Sequence, residues 1–196
     1  PRSVPNASYL LILNRSDHII PAVARLHRSQ IPGYFMLGET KGTSAGGAAE
    51  AGKSLRVPGT NPFFFNDDAL QGNRLVELLQ TMPDLEAFVL NTGRVGGEGD
   101  GSKKVRIADS SAIVKAIVEG TIDWTEDPDF GYQVAVSVPG VEDMDLLQPV
   151  GLYTAQDRLS EYRSIVDRLI EERTAYLASF PALDPQVPGG LFYTET

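Results

Sequence analysis

The sequence contains no cysteine at any of its 196 positions. Disulfide scaffolds, thiolate metal centres and cysteine nucleophiles are therefore excluded. Histidine is almost as scarce. His18 and His27 are the only two, and neither sits within a carboxylate cluster at metal-ligand spacing. Both read as surface or packing residues, so no metal site is expected within the chain. No apolar run reaches the ~18 residues that a membrane-spanning helix requires. Positive charge is in deficit: 17 Lys and Arg stand against 26 Asp and Glu, a formal net charge of −9. That balance argues against bulk nucleic-acid binding, which needs a basic face. The start, Pro1-Arg2-Ser3, has no methionine and no apolar signal core. The expectation is a processed chain, or a piece of a longer one, in the cytoplasm.

What is present suits one soluble globular domain: 42% hydrophobic and 22% charged residues. The positive charges gather in two places, Arg15 to Arg28 and Lys103 to Arg106. Tyr9 to Leu13 is a continuous apolar run and reads as a buried strand. Ile19 to His27 reads as a short helix with Pro21 in its first turn. Gly33 to Leu37 reads as a second strand, and a long Gly/Ala/Ser/Thr/Lys segment continues from Gly38 to Asn61. A helix is expected after Asn66-Asp67-Asp68, ending at Pro83. Glu86 to Leu90 is the next strand, succeeded by a glycine-rich loop to Lys103 and a short extended stretch to Ile107. Asp109 or Ser110 is expected to cap an amphipathic helix through Ile113, Val114, Ile117 and Val118, stopped by Gly120. Gly131 to Val138 alternates and reads as a strand. A long helix is expected from about Ala155 to Phe180. These elements predict an α/β domain over residues 1–180, with a mixed, mostly parallel sheet and flanking helices. An extended tail is expected over 181–196.

Two loops invite a phosphate. Gly47 to Ser54 matches the G-x-x-x-x-G-K-[ST] pattern. A working phosphate loop has a strand directly before it and a helix directly after it. Here small polar residues precede, and Pro58-Gly59 comes too soon for a helix. The match reads as coincidence in a Gly/Ala-rich segment. Asn91 to Gly97, continued by Gly99, Gly101, Ser102, Lys103 and Lys104, reads differently. Glycines allow close backbone approach, successive N–H groups can form an anion-binding concavity, and cations come immediately after. The loop leaves the C-terminal end of an apolar strand, the edge where open α/β sheets bind ligands. Gly96, Gly97, Lys103, Lys104 and Arg106 are thus candidate binding residues, and the cations are expected to converge with Arg25 on one cleft. By itself Arg25 reads as a solvated cation near a helix end. Trp124, Phe130 and Tyr132, around the acidic turn Glu126 to Asp129, read as core.

The ordered set of motifs resembles the ATP-type phosphoenolpyruvate carboxykinases. The segments that carry the resemblance are Pro21-Ala22-Val23-Ala24-Arg25-Leu26, Phe35-Met36-Leu37-Gly38 and Leu90-Asn91-Thr92-Gly93. They continue with Ser102-Lys103-Lys104, Val105-Arg106-Ile107, Asp109 to Ile113, Pro128 to Gly131 and Pro139-Gly140-Val141. The similarity runs from about Tyr9 to Phe180. It implies a parent protein that phosphorylates and decarboxylates oxaloacetate with ATP and a divalent metal, Mg or Mn. It also implies that the phosphate loop and metal ligands lie upstream, in an N-terminal portion that this chain would need as its partner. Alone, the chain is expected to be inactive. Carried over by position, Arg25 would meet the terminal phosphate, the one catalytic role assigned. Lys104 would lie beside the base, and Val105 and Ser110 would touch the nucleoside. The chain departs from the family pattern at Glu39, Arg94 and Ser111. The alternative is a non-catalytic nucleotide- or anion-binding domain of a divergent relative.

Overall fold

A computed structural model of the chain describes residues 7–42, 53–59 and 66–192. At its centre is a five-stranded sheet. The strands are β1 (Tyr9–Asn14), β2 (Val23–Leu26), β5 (Glu86–Asn91), β8 (Asp123–Glu126) and β9 (Gln133–Ser137), in the order β1-β5-β2-β9-β8. Two hairpins lie outside it: β3 (Glu39–Lys41) with β4 (Ser54–Arg56), and β6 (Arg94–Val95) with β7 (Lys103–Lys104). The helices are α1 (Ile31–Leu37), α2 (Ala69–Thr81), α3 (Ile107–Glu119), α4 (Pro149–Ala155), α5 (Leu159–Ala178) and α6 (Gln186–Gly189).

The α/β class and the mixed sheet are as expected, but the balance of directions is not. β1 runs parallel to β5, while the β5–β2, β2–β9 and β9–β8 pairs are all antiparallel. The difference arises at Val23–Leu26. Sequence places this segment within a helix; it instead forms a strand lodged between β5 and β9. Val23 and Ala24 are fully buried, one on each face, so no amphipathic period marks the strand. The converse holds at Gly33–Leu37, expected as a strand and found in α1. Pro32 opens that helix and Gly38, at φ 50°, closes it in the left-handed region. A Cβ at Gly38 would lie 1.9 Å from the Val57 carbonyl oxygen, so the position excludes any side chain.

Alternation along the strands divides the interior into two cores. Ala24, Leu26, Ala87 and Val89 face α1, α2 and α5. Val23, Phe88 and Leu90 face α3 through Ile113, Ala116 and Ile117. Fully burying an aliphatic or aromatic side chain is worth roughly 1.5–3 kcal/mol, so these faces fix the strand register. Two residues expected on the buried side of α3 point outward: Val114 is 36% exposed and Val118 63%. The expected long C-terminal helix is α5, which begins at Leu159; Asp157, at φ 55°, separates it from the short α4 before it, which the sequence does not single out. The segment expected as an extended tail carries α6, and Leu183, Val187 and Leu191 are buried in the first core.

Candidate functional site

The glycine loop is organised by one side chain. Asn91 ends β5 and is 1% exposed. Its Oδ1 accepts hydrogen bonds from the N–H groups of Ser16 (3.0 Å) and Gly93 (2.9 Å), while Nδ2 donates to the Ile20 carbonyl (2.8 Å). The glycine loop therefore lies against residues 16–18. The N–H groups of Arg94, Gly96 and Gly97 donate to the carbonyls of Ser16, His18 and Asp17, at 2.9, 2.8 and 2.7 Å. Gly96 and Gly97 are buried at φ 96° and 86°. Both N–H groups thus hold the neighbouring loop rather than opening toward solvent. From sequence, Asn91 reads only as part of a motif and His18 as a packing residue. The signal that marks Asn91 is an Asx residue at a strand end with glycine two positions later.

Beyond the loop, β7 leads into α3. The Val105 N–H donates to the Gly93 carbonyl (3.0 Å), which sets the start of the helix above the end of β5. Arg106, not Asp109 or Ser110, is the N-cap residue. Asp109, in the first turn, reaches back. Its carboxylate accepts from the Arg106 N–H at 2.8 Å and from the guanidinium at 3.0 and 2.9 Å. The Arg106 hydrogen bond holds the Asp109 carboxyl below its usual range, against the opposing effect of desolvation. Lys103 is engaged as well, 3.2 Å from Asp143 and 3.7 Å from Asp145. Lys104 and Arg106 are exposed.

Four of these residues meet at one place. Thr92, Val105, Arg106 and Ser110, with Val114 and Val118, line a groove of about 780 Å3 along α3. Its walls are mainly aliphatic, with hydroxyls at Thr92, Ser110 and Ser111, cations at Arg106 and Lys115, and a carboxylate at Glu119. The structure does not bring Arg25 into this groove. β2 sets Arg25 opposite Phe88, its Nε donates to Gln133 (2.6 Å), and its guanidinium lies 5.1 Å over Trp124. It lines a different cleft with His27, Glu86 and Gln133. Arg25 and the groove nevertheless share one side of the sheet, the side covered by α3.

Of the phosphate-loop pattern at Gly47 to Ser54, residues 47–52 lie outside the described residues. Lys53 and Ser54 are described, and Ser54 opens strand β4 rather than a helix. Among the described residues no group of three or more His, Asp or Glu side chains is placed to hold a metal ion. No helix among them is long and apolar enough to cross a membrane.

Comparison with known proteins agrees with the motif order. The family model described as "Phosphoenolpyruvate carboxykinase", in its ATP-type form, matches residues 3–144. The chain is 30% identical to phosphoenolpyruvate carboxykinase (ATP) of Aeropyrum pernix over 176 residues, which cover 89% of the chain and 33% of that protein. It is 29% identical to the Parvibaculum lavamentivorans protein of the same name, over 94% of the chain and 36% of the relative. The glycosomal enzyme of Trypanosoma cruzi is 32% identical over 60% of the chain and 25% of its own length. The chain thus spans about a third of the length of the relatives it matches. On the family match and the relatives together, the chain belongs to the ATP-type phosphoenolpyruvate carboxykinase family.

Proposed function

We propose that this chain supplies the nucleotide-binding part of an ATP-dependent phosphoryl-transfer protein of the carboxykinase type, acting with an upstream portion that carries the phosphate loop. The observation that carries this reading is the groove along α3. Val105, Arg106 and Ser110, singled out from sequence, line it together. In this reading the base rests between Val105 and Val114, and Ser110 and Thr92 meet its polar edge. Lys104 lies beside the base, Lys103 stays with its two aspartates, and Gly96 and Gly97 keep the loop in place. Arg25 takes the phosphate end. A guanidinium held by Gln133 and Trp124 is already oriented, so less side-chain entropy is lost when it meets a phosphate. Divalent metal would neutralise phosphate charge. The described residues do not form a cluster fitted to it, so its ligands would come from elsewhere in the protein.

The face around the groove supports the need for a covering partner. Tyr9, Leu11 and Leu13 on edge strand β1 are 41, 37 and 66% exposed, and Ile107 on α3 is 88% exposed. All lie on the side of the sheet that carries the groove. An apolar surface of this kind is characteristic of an interface.

The test is an ATP titration of the full-length protein with the Arg25→Ala, Val114→Lys and Lys53→Ala variants. Loss of one charge-assisted contact is worth about 1.5–3 kcal/mol, a ten- to hundredfold weakening. Weaker binding in the first two variants, with Lys53→Ala unchanged, is expected. Weakening confined to Lys53→Ala would transfer the site to the Gly47–Ser54 loop. No change in any variant would end the nucleotide reading.

A further inference from the structure

A second cleft lies on the other side of the sheet, away from the α3 groove. It has a volume of about 330 Å3 and is bounded by the loop after β1, the β3–β4 hairpin and α5. Its lining is polar and includes Asn14, Arg15, Asp17, His18, Lys41 and Arg168. Two features separate it from an ordinary solvated crevice.

The first is unmet hydrogen bonding. Asn14 is only 5% exposed. Its Nδ2 donates to Glu39 Oε2 at 3.1 Å, which fixes the orientation of the amide. Oδ1 is consequently the free atom, and it is buried with no partner among the described residues. His18 Nδ1 is buried and without a partner as well. Desolvation, and then the nearby Arg168, lower the His18 pKa against the opposing effect of Asp17. A buried acceptor left unsatisfied costs roughly 1–3 kcal/mol, so the cleft favours an occupant that brings a donor.

The second is the arrangement of charge. Lys41 is paired with Asp17, and Arg56 with Glu39. Arg168 is held only loosely by Glu172, at 3.8 Å with both side chains 54% exposed. Arg15 is exposed at the rim. The cations available to a ligand are therefore Arg168 and Arg15, beside an acceptor that lacks a donor.

We propose that the cleft between Asn14, His18 and Arg168 binds a small anion that carries a hydroxyl group. The anionic end, carboxylate or phosphate, pairs with Arg168 and Arg15. The hydroxyl donates to Asn14 Oδ1. This site is independent of the nucleotide groove: the two lie on opposite sides of the sheet and share no lining residue.

The experiment is calorimetric titration of the protein with two matched pairs, L-malate against succinate and glycerol 3-phosphate against inorganic phosphate. The pairs separate the carboxylate source from the phosphate source. At least one hydroxylated member should bind, and its counterpart lacking the hydroxyl should bind at least about tenfold more weakly, because Oδ1 is again left unpaired. Arg168→Gln should weaken that binding at least about fivefold without altering the thermal midpoint, since this side chain is half-exposed. Arg25→Ala should leave it unchanged. Asn14→Ala removes the Glu39 contact and can unfold the sheet end, so Arg168→Gln is the deciding variant. The proposal is overturned if neither hydroxylated compound binds, if each pair binds equally, or if Arg168→Gln has no effect.

Discussion

Arg173 lies wholly inside the protein and grips the carboxylate of Glu39, 134 positions earlier, through two hydrogen bonds of 2.9 Å. The guanidinium also donates to the Tyr34 hydroxyl at 3.2 Å and stacks 4.8 Å from the Phe130 ring. One arginine thereby ties α5 to α1, to the base of the β3–β4 hairpin and to the turn before β9. Removing one partner of such a buried pair leaves an uncompensated charge and typically costs about 3–5 kcal/mol.

That pair makes stability depend on pH. Burial would raise the Glu39 pKa, but Arg173 and then Arg56 outweigh it, and the net shift is downward from 4.5. A carboxylate depressed in the folded state contributes stability that is complete above its unfolded value and is lost as pH falls through the folded one. Urea denaturation should show Glu39→Gln destabilised by several kcal/mol at pH 7, with the gap to wild type shrinking below pH 4. An unchanged gap at low pH would contradict this.

Gly93 is held for spatial reasons. A Cβ there would lie 2.1 Å from the Ser16 carbonyl oxygen and 3.2 Å from Asn91 Oδ1. Gly93→Ala should force the glycine loop away from residues 16–18 and cost about 1–3 kcal/mol, the range for overpacking. A thermal melt and the Ser16 amide chemical shift would register it. An alanine variant with wild-type stability would show that the two loops can separate freely.

Asp109→Ala should remove the carboxylate that closes the first turn of α3. The expected loss is about 1 kcal/mol, measurable by chemical denaturation. Nucleotide affinity should fall too, since Arg106 would lose its orientation beside the groove. Unaltered affinity in the folded variant would separate Arg106 from the ligand.

Lys104→Arg tests the groove from the side of gain. A planar guanidinium stacks on an aromatic ring where an ammonium does so less well. An exposed stack is worth about 0.5–1 kcal/mol, so ATP should bind roughly two- to fivefold more tightly by fluorescence titration. Equal or weaker affinity would place Lys104 away from the base.

How much of the fold is legible in sequence depends on whether an element leaves one face in water. β5 and the helix after Asp68 are readable from apolar run, turn residues and period. Val23–Leu26 and Ile31–Leu37 mislead in opposite senses because both are buried almost all round, and short apolar runs carry no period to distinguish strand from helix. At α1 the capping pair, Pro32 and Gly38, is the better guide. For the groove, Val105, Arg106 and Ser110 emerge from motif order. The second cleft has no such signal: Asn14, Glu39 and Arg168 are far apart in the chain and are brought together only by the packing of α5 beside the β3–β4 hairpin.

The Asn91 carboxamide has one further consequence, for the way the protein opens. Because it bonds Ser16, Ile20 and Gly93 at once, residues 16–20 and 91–97 cannot unfasten separately without leaving one of its polar atoms unsatisfied. They form a single cooperative unit in the sense revealed by native-state hydrogen exchange. The amides of Ser16, Arg94, Gly96 and Gly97 should exchange with one shared opening free energy, close to that of β5 itself, although all four belong to loops or to the short hairpin beyond the sheet. Glycine-rich as it is, this stretch should then behave as an extension of the sheet, coupling the loop that brings Thr92 to the α3 groove to the loop that brings Ser16, Asp17 and His18 to the second cleft.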